Sequence, residues 1–485
     1  MKQKLKLSNF HYKRIHFIGI GGSGMIALAQ YLRAYGKCKI SGSDITYKPA
    51  LKELELQGVK IYKNHSKENI SQCNLIVYST AINDQNEELI EAKRKKLICL
   101  HRSEFLNLIL TPYERKITVS GTHGKTTTTG MLIHILDYSG VNPSFMIGGE
   151  IAPYNINGRY AESTTFIAES DESDGSFLNL SPNYCIINNI EEEHLNYYKT
   201  KENLLSSFKQ IIEKVLKNNG IIIANADDKN SNSIINNIKE TNITTFSLKD
   251  TSREVYTKNI SYNKTSTSFN LYHNNKLIDK ITLNTLGTHN IYNALACITL
   301  CLKLGISINV IKKGLLNFKG VKRRLQLISD LNNIKIYDDY AHHPTAIKTT
   351  LTGLKKAFNT HITCIFQPHR YSRTEALLTS FFSAFTDADT VIITPIYSAN
   401  ETETKENNEL LNKLITGIKK KRNQSKSIYN FKSDEDTIEF LTKNTKKGDI
   451  VITMGAGNIS ELSTELKHVF SNGGIQNKKT MQLSN

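Results

Sequence analysis

Cysteine is scarce in this 485-residue sequence, and long apolar runs are missing from it. The seven cysteines are dispersed, odd in number and without a C-x-x-C pair, which argues against a disulfide framework or zinc site and for a reducing compartment. No stretch approaches the ~18 apolar residues of a transmembrane helix. The apolar segment that starts at Ile15 is broken by glycines and lacks a signal-peptide cleavage site. We therefore expect a cytoplasmic chain without membrane insertion.

The charge is strongly one-sided, with 62 Lys and Arg against 45 Asp and Glu, a formal net charge of +17. Such a balance suits nucleic acid, a membrane surface or small anionic substrates. However, the lysines are scattered, and nothing resembles an RNA-binding aromatic sheet, a zinc finger or a long basic tail. We expect no nucleic-acid partner, and the favoured explanation of the charge is a compositional drift toward Lys, Asn and Ile, with the lysines on solvated faces.

Alternating strand and helix patterns divide the chain into three α/β blocks with parallel sheets. The first begins with a strand at 14–20 and a helix at 25–35, and the second opens near Lys116. Residues 241–285, within the second block, are β-rich and predicted to be antiparallel. The predicted domains are 1–112, 113–319 and 320–472, followed by a polar tail at 473–485 that we expect to be disordered.

The strongest local signal is a phosphate-binding loop at residues 120–127, between a short strand and a helix. Glycines let backbone N–H groups turn inward, and with the helix N-terminus they form an anion cradle. Lys125 is expected to face the β- and γ-phosphates, and the Thr126 hydroxyl to bind Mg²⁺. The general P-loop pattern has a glycine where this sequence has Val119.

A second glycine-rich turn follows the first strand, with the spacing G-x-G-x-x-G at residues 19–24. Asp44 lies twenty residues beyond Gly24, after a second strand, as in dinucleotide-binding folds. Alone, this pattern is typical of an NAD-dependent dehydrogenase. Glycines at a helix N-terminus bind any pyrophosphate, including that of a UDP-sugar. Because a dehydrogenase would not also carry the phosphate loop at residues 120–127, the combination favours a UDP-sugar over NAD.

Acidic and histidine residues follow two further strands of the second block. Glu169 and His194 each come just after an apolar strand, where side chains face the nucleotide crevice of an α/β sheet. A hard cation that bridges phosphates prefers oxygen ligands and tolerates one imidazole. Glu169 and His194 are therefore candidate metal ligands, while Glu191 to Glu193 fit solvated loop charges better.

The third block has three candidate segments. Residues 320–324 hold three consecutive cations that suit a transferring phosphoryl group, or a solvated linker. Residues 338–344 and 367–374 end successive strands, where α/β loops bind ligands.

Together and in this order, these segments resemble the Mur ligase family over nearly the whole chain. The resemblance is carried by Gly-Thr-His-Gly-Lys-Thr-Thr-Thr-Thr at 121–129, Ala-Glu-Ser-Asp-Glu-Ser-Asp-Gly-Ser-Phe at 168–177, Gly-Thr-His-Asn-Ile-Tyr-Asn-Ala-Leu-Ala at 287–296, Gly-Val-Lys-Arg-Arg at 320–324 and Asp-Asp-Tyr-Ala-His-His-Pro at 338–344. The runs at 19–25, 369–374 and 453–458 resemble the alanine-adding branch. Asn196 departs from the family pattern, in which Asp is common.

The resemblance implies a three-domain α/β fold: an N-terminal Rossmann-like UDP-binding domain, a central P-loop ATPase domain with a β-rich part, and a C-terminal Rossmann-like domain that closes on ATP and the amino acid. It implies ATP-dependent ligation of L-alanine to the lactyl carboxylate of UDP-N-acetylmuramate through an acyl phosphate. ATP is the co-substrate and Mg²⁺ the metal, for which Mn²⁺ can substitute. The oligomeric state implied is a monomer or homodimer.

The resemblance also assigns residues to roles. ATP binding is implied for Gly121, Thr122, His123, Gly124, Lys125, Thr126, Thr127, His289, Asn290, Asn293, Arg324 and Asp339. UDP-sugar binding is implied for Gly19, Gly21, Gly22, Ser23, Gly24, Met25, Asp44, Ser79 and Arg102. The amino-acid pocket comprises Tyr340, His369, Arg370 and Arg373, and the metal ligands are Thr126, Glu169 and His194. The catalytic set is Lys125, His194, Arg324, His342, His369, Arg370 and Arg373.

Three other functions stay open at this point. A related ligase attaches a recycled tripeptide to the same sugar and differs in the amino-acid pocket. A nicotinamide oxidoreductase would use the first glycine turn alone. A non-catalytic nucleotide-binding regulator would bind ATP without turnover.

Overall fold

The computed structural model describes residues 5–471 except 12, 239, 400, 403–404 and 423–426. The predicted tail at 473–485 lies outside the described residues. The chain divides into two compact units. The first comprises Met1–Ser261, Ser268–Asn284 and Asn290–Val321, and the second comprises Tyr262–Thr267, Thr285–His289 and the chain from Lys322 onward.

The first unit begins with a parallel five-stranded sheet. Its strands are β1 (Arg14–Ile18), β2 (Lys39–Ser43), β3 (Lys60–Tyr62), β4 (Leu75–Tyr78) and β5 (Ile98–His101), and its helices are α1 (Ser23–Tyr35), α2 (Pro49–Leu56), α3 (Glu87–Arg94) and α4 (Arg102–Leu110). The strand order is β3-β2-β1-β4-β5, with all pairs parallel. Because the order reverses at β1, a crevice opens at the carboxyl ends of the strands, where ligands bind in such sheets.

A ten-stranded sheet forms the rest of the first unit. Its strands are β6 (Arg115–Ser120), β7 (Ser144–Ile151), β8 (Ile156–Arg159), β9 (Thr165–Glu169), β10 (Tyr184–Ile187), β11 (Ile221–Asn225), β12 (Ile243–Ser247), β13 (Val255–Tyr262), β14 (Thr267–His273) and β15 (Lys276–Leu283). The accompanying helices are α5 (Lys125–Tyr138), α6 (Leu195–Tyr198), α7 (Lys201–Lys217), α8 (Lys229–Ile235), α9 (Thr288–Lys303) and α10 (Ile308–Leu316). The strand order is β15-β14-β13-β12-β11-β10-β6-β9-β7-β8.

The β-rich stretch at 241–285 does form strands, but its predicted antiparallel character is wrong for β12. This strand pairs in parallel with β11 on one side and with β13 on the other. The β-branched residues that indicated strands carry no information on strand direction, because direction depends on the path of the connections.

Helix α1 of the first sheet packs directly on edge strand β8 of the second. A Cβ atom built on Gly158 would lie 2.0 Å from the carbonyl oxygen of Ala27, so only glycine fits there. The Gln30 side-chain oxygen accepts hydrogen bonds from the N–H groups of Asn157 (2.8 Å) and Gly158 (2.9 Å). One apolar core contains residues of both sheets, among them Phe17 and Phe166.

The second unit is built on a six-stranded sheet. Its strands are β16 (Gln326–Leu331), β17 (Ile334–Asp339), β18 (Ile362–Phe366), β19 (Thr390–Ile393), β20 (Ser427–Asn430) and β21 (Ile450–Met454), and its helices are α11 (Pro344–Phe358), α12 (Tyr371–Ala376), α13 (Leu378–Phe381), α14 (Lys405–Lys421), α15 (Asp434–Asn444) and α16 (Ser460–Ser471). The order is β16-β17-β21-β18-β19-β20, and only β16 pairs antiparallel. Strands β18 and β21 are buried throughout, as expected of parallel strands covered on both faces.

These three sheets confirm the predicted α/β fold class. All seven cysteines are free thiols. Within the described ranges, no helix combines the length and the apolar character needed to cross a membrane.

Candidate active site

The predicted phosphate loop lies between β6 and α5. Gly121 (φ +130°) and Gly124 (φ +80°) adopt backbone conformations that favour glycine. A Cβ atom on Gly121 would lie 2.9 Å from the Asn189 carbonyl oxygen, and one on Gly124 would lie 2.4 Å from Oδ1 of Asn293. The glycines are thus required both by the turn and by the close approach of neighbouring segments.

Lys125 starts α5 and contacts an acidic loop that follows β9. Its Nζ donates to the Gly121 carbonyl oxygen (2.6 Å) and to Oε2 of Glu172 (2.6 Å). Burial disfavours the charged ammonium, but the carboxylates of Glu172, Asp171 and Glu169 outweigh this and raise the pKa of Lys125. Burial raises the pKa of the Glu172 carboxyl to about 7, against the attraction of Lys125. Lys125 is therefore a charged group within the loop, ready to face a phosphate.

The candidate metal ligands lie around this lysine. The Thr126 hydroxyl donates to Oε1 of Glu169 at 3.0 Å, so two predicted ligands are in contact. Nε2 of His194 lies 3.9 Å from Oε1 of Glu172, a buried oxygen with no hydrogen-bond partner among the described residues. This donor set, mostly oxygen with one imidazole, fits a hard divalent cation.

Two asparagines, Asn188 and Asn189, form hydrogen bonds to the phosphate loop. Neither was among the predicted site residues. Strand β6 is flanked in parallel by β9 and β10, so the segments after those strands meet the loop. Asn188 Nδ2 donates to the Thr128 hydroxyl (2.9 Å), and Asn189 Oδ1 accepts from the N–H of His123 (2.8 Å). Their position directly after β10 could have predicted this role. The prediction considered only acidic and histidine residues after the strands and therefore missed them.

The other predicted ATP residues of the first unit lie at the same loop. Asn293 Oδ1 accepts from the Thr128 hydroxyl at 3.1 Å, and Asn293 Nδ2 donates to Oδ1 of Asn290 at 3.1 Å. The Thr122 hydroxyl accepts from the Glu191 N–H at 2.9 Å. Thr127 lies in the first turn of α5.

The glycine turn after β1 is stabilised by Asp44, the acidic residue of the dinucleotide-binding pattern. The Asp44 carboxylate accepts a hydrogen bond from the Gly21 N–H at 2.8 Å. Gly22 is the N-cap of α1, and Ser23, Gly24 and Met25 form its first turn. Ser79 follows β4, and its hydroxyl would lie 2.9 Å from a Cβ on Gly19. The predicted UDP-sugar residues on these segments thus share one sheet edge.

Arg102 connects this turn to the acidic loop. Its Nη2 lies 3.2 Å from Oδ2 of Asp171 and 3.5 Å from Oδ2 of Asp174. Its Nη1 would lie 3.3 Å from a Cβ on Gly24. Since Glu172 of the same acidic loop forms an ion pair with Lys125, a short chain of ion pairs joins the glycine turn after β1 to the loop after β6.

In the second unit, the predicted residues form a row of aromatic and cationic side chains. Tyr340 lies 5.4 Å from the His342 ring, which lies 6.0 Å from the His369 ring. His369 stacks on Tyr397, a residue that the sequence analysis missed, at 5.5 Å. Nη1 of Arg373 lies 3.0 Å from Nδ1 of His369. Burial and the neighbouring arginines lower the pKa of His369 to about 4, so this imidazole is neutral at pH 7.

The arginines and the aspartate at this row differ in their roles. Arg324 and Arg323 both lie over the Tyr340 ring, at 4.8 and 5.1 Å, but Arg323 also donates to the carbonyl oxygens of Gly455 (2.6 Å) and Gly457 (3.0 Å). Burial raises the pKa of Asp339 to about 6, against the attraction of Arg324. Arg323 therefore has a structural role here. Arg370 adopts φ +69° and is largely exposed.

His289 belongs to the second unit, and its ring has an unsatisfied atom. Its Nδ1 is buried and makes no hydrogen bond to the described residues. Burial lowers the pKa of His289 from its usual 6.5 to about 4. A neutral imidazole with one unsatisfied nitrogen suits a hydrogen bond to a ligand.

This histidine predicts a specific loss of stability in acid. Because its folded pKa lies below its unfolded pKa, the unfolded chain takes up the proton first as pH falls below 6.5. We expect the His289 contribution to the free energy of unfolding to fall by about 1–2 kcal/mol between pH 7 and pH 5. Urea unfolding of the wild-type protein and of His289→Gln at both pH values measures it. Equal pH dependence of the two proteins would contradict it.

Comparisons with known proteins agree with this geometry. Residues 14–113 match the Mur ligase family catalytic domain, 119–301 the Mur ligase middle domain, and 323–457 the Mur ligase glutamate ligase domain. The chain is 41% identical over 460 residues to the UDP-N-acetylmuramate–L-alanine ligase of Acetivibrio thermocellus, covering 95% of this chain and 96% of the relative.

Two solved structures are similar over almost the whole chain. The UDP-N-acetylmuramate–alanine ligase of Thermotoga maritima has a TM-score of 0.79 and 26% identity, covering 95% of this chain and all of its own. The murein peptide ligase of Psychrobacter arcticus has a TM-score of 0.69 and 27% identity, covering 95% of this chain and 99% of its own. With the two anion-binding loops in place and relatives of this identity along nearly its full length, the chain belongs to the Mur ligase family.

Proposed function

We propose that this chain joins L-alanine to the lactyl carboxylate of UDP-N-acetylmuramate in an ATP-dependent reaction of peptidoglycan precursor synthesis. The products are UDP-N-acetylmuramoyl-L-alanine, ADP and phosphate. The observation that carries the proposal is the 41% identity to an alanine ligase over 95% of the chain. The phosphate loop, linked to a second glycine turn through Arg102, supplies the physical basis.

The reaction proceeds in two steps. A carboxylate is a poor electrophile, so its oxygen first attacks the γ-phosphorus of ATP, which forms an acyl phosphate and releases ADP. The amine of L-alanine then attacks the acyl carbon, and phosphate leaves. The protein contributes positioning and charge neutralisation. Lys125 and the N–H groups at the start of α5 are the groups that we propose to stabilise the charge on the transferred phosphoryl group.

Mg²⁺ is the metal that we propose for Thr126, Glu169 and His194. Bound there, it would neutralise phosphate oxygens and polarise the γ-phosphoryl group. The support is the 3.0 Å contact of Thr126 with Glu169 and the unpartnered carboxylate oxygen of Glu172 beside His194. Lys125 stays charged beside this cluster, because three carboxylates surround it.

The remaining roles are proposed from the family resemblance, and the positions of the residues within each unit support them. We propose that Gly19, Gly21, Gly22, Ser23, Gly24, Met25, Asp44, Ser79 and Arg102 bind the UDP-sugar. We propose that the neutral His369, with Tyr340, Arg370 and Arg373, holds the amino acid. Because Nδ1 of His369 accepts a hydrogen bond from Arg373, the ring proton lies on Nε2, which can donate to the carboxylate of the amino acid. His342 and Arg324 stay proposed catalytic residues, and His289 and Asp339 proposed ATP contacts.

The domain boundaries 1–112, 113–319 and 320–472 are likewise proposals, supported by the positions of the three family matches. A cytoplasmic location is proposed, because seven free thiols suit a reducing compartment. We propose a monomer or homodimer without a nucleic-acid partner, since the anionic substrates themselves suit a basic chain.

A product assay tests the proposal directly. Purified protein with UDP-N-acetylmuramate, ATP and Mg²⁺ receives either a panel of single amino acids or a tripeptide, and mass spectrometry identifies the product. We expect L-alanine to be joined and the tripeptide to be left unreacted. The tripeptide is included as the alternative substrate because the chain is also similar to a murein peptide ligase. A tripeptide product without an alanine product would overturn the choice, and the absence of any ATP cleavage would overturn the reaction.

A further inference from the structure

All five strands of the first sheet are parallel, so their carboxyl ends lie on one edge. Four of these ends carry proposed UDP-sugar residues: the glycine turn after β1, Asp44 after β2, Ser79 after β4 and Arg102 after β5. The end of β3, beside β2, has no assigned residue. His65 follows β3 by three residues and lies in this unassigned position.

His65 is bound to the strand that carries Asp44. Its Nδ1 lies 2.9 Å from the hydroxyl of Ser43, the last residue of β2. The carbonyl oxygen of Ser43 accepts from the N–H groups of Gly19 (2.9 Å) and Ile20 (3.1 Å), which belong to the glycine turn. Two contacts thus connect His65 to the backbone that is proposed to hold the pyrophosphate.

A buried carboxylate lies behind this histidine. Glu88 is completely buried in the first turn of α3, and its Oε2 lies 3.1 Å from Nδ1 of His65 and 2.5 Å from the Ser43 hydroxyl. Its Oε1 accepts from Asn69 at 2.7 Å and lies 3.3 Å from Nε2 of the buried His16. Burial alone would protonate Glu88, but the two histidines and Ser43 lower the pKa of this carboxyl below its usual range.

The charge of His65 follows from this arrangement. The groups that face it are Glu88 from α3 and Asp44 after β2, with His16 of β1 beyond the carboxylate. The Glu88 contact, opposed by partial burial and aided by Asp44, raises the pKa of His65. Its side chain retains 18% exposure, and its Nε2 makes no hydrogen bond within the described part of the chain.

We propose that His65 is a further UDP-binding residue, which donates a hydrogen bond from Nε2 to an oxygen of the UDP group, and that Glu88 is the positioning residue that keeps it oriented and charged. This rests on the proposed function, because it names a residue for the UDP half of that substrate. In this arrangement the buried Glu88 carboxylate does not contact the UDP group, but it fixes the orientation of His65, which does. Nδ1 is committed to Glu88 and Ser43, so the ring presents only Nε2 to a ligand.

The test measures binding of UDP, UMP and uridine by calorimetry to wild type, His65→Gln and Glu88→Gln. His65→Gln should weaken UDP about tenfold or more, the usual effect of losing a charge-assisted hydrogen bond. Binding of a non-hydrolysable ATP analogue should stay unchanged. Equal weakening of all three ligands assigns the acceptor to the nucleoside, and weakening of UDP and UMP alone assigns it to a phosphate.

The matched control is His273→Gln. His273 also pairs with a glutamate, Glu254, at 3.1 Å, but it ends β14 in the other sheet of the first unit. We expect this variant to bind UDP as tightly as wild type. An equal loss of UDP affinity in His273→Gln would show a general effect of removing a histidine and would overturn the assignment.

The positioning role predicts a change in pH dependence. With its pKa raised, wild-type His65 stays charged until pH passes its folded pKa, so UDP affinity should decline only above that point. In Glu88→Gln the decline should begin at a lower pH, and the NMR titration of the His65 ring should shift the same way. Binding of the ATP analogue checks that this variant folds, and if it does not, the His65→Gln result decides.

Two further outcomes overturn the proposal. If wild type binds UDP and His65→Gln binds it within twofold, His65 has no binding role, while the proposed function stands. If wild type binds neither UDP nor UDP-N-acetylmuramate, the proposed function fails and the inference with it.

Discussion

Lys125→Ala is expected to lower kcat for ligation by at least about 10³-fold, because the charge on the transferred phosphoryl group loses the ammonium group of the phosphate loop. The variant also leaves the buried Glu172 without the ammonium that contacts it at 2.6 Å, so the pKa of this carboxyl rises further and it takes up a proton at neutral pH. ADP release with UDP-N-acetylmuramate and L-alanine present measures the effect. Thermal unfolding of the variant separates lost chemistry from lost structure.

Lys312→Ala is the appropriate control for this experiment. Lys312 pairs with Asp279 at 2.7 Å, so its removal also breaks a lysine–carboxylate ion pair of the first unit. It should leave kcat within about twofold. Unchanged ADP release by Lys125→Ala would contradict the role proposed for this lysine. Nicotinamide reduction that is equal in wild type and Lys125→Ala, without ADP release by either, would favour the nicotinamide oxidoreductase. Wild-type ATP binding without turnover would favour the regulator.

Gly124→Ala should raise the KM for ATP by at least about 10²-fold. The new Cβ would lie 2.4 Å from Oδ1 of Asn293 and 3.2 Å from Nδ2 of Asn188, so the loop must move. A shift of about 1 Å in the N–H groups that face the phosphates is enough for a loss of this size. Initial-rate kinetics at varied ATP concentration measure the change.

The backbone contribution can be separated with Gly140→Ala. Gly140 has φ +82°, close to the +80° of Gly124, but a Cβ added there would meet no atom within 4 Å. This control carries only the strain of the left-handed backbone, about 1 kcal/mol of stability. It should lower the Tm slightly and leave the KM for ATP unchanged. If both variants raise the KM alike, the crowding at Asn293 is not the cause.

The sequence was most informative where backbone geometry requires a particular residue. Gly121 and Gly124 adopt positive φ angles and meet neighbouring segments closely, so their spacing predicted both the turn and the cradle. Apolar β1 and β6 were predictable for a similar reason, since parallel strands are buried on both faces. The order of these signals also indicated the family.

What the sequence did not show depends on pairings between distant segments. Strand β3 has only three residues, none of them buried, so it lacks an apolar pattern. Asn188 and Glu172 reach the phosphate loop because β10 and β9 flank β6, which is a property of strand order rather than of local pattern. The parallel direction of β12 escaped prediction for the same reason.

The packing of α1 on β8 has a consequence for the chemistry. Helix α1 starts at the proposed UDP-sugar turn, and β8 belongs to the sheet that carries Lys125, so the Gly158–Ala27 contact limits how far the proposed UDP-sugar turn lies from the phosphate loop. The lactyl carboxylate and the γ-phosphorus must approach within a few ångströms. A backbone carbonyl packed against a glycine allows a closer approach of helix and strand than any residue with a side chain would, and Gly158 itself lies outside both proposed ligand loops.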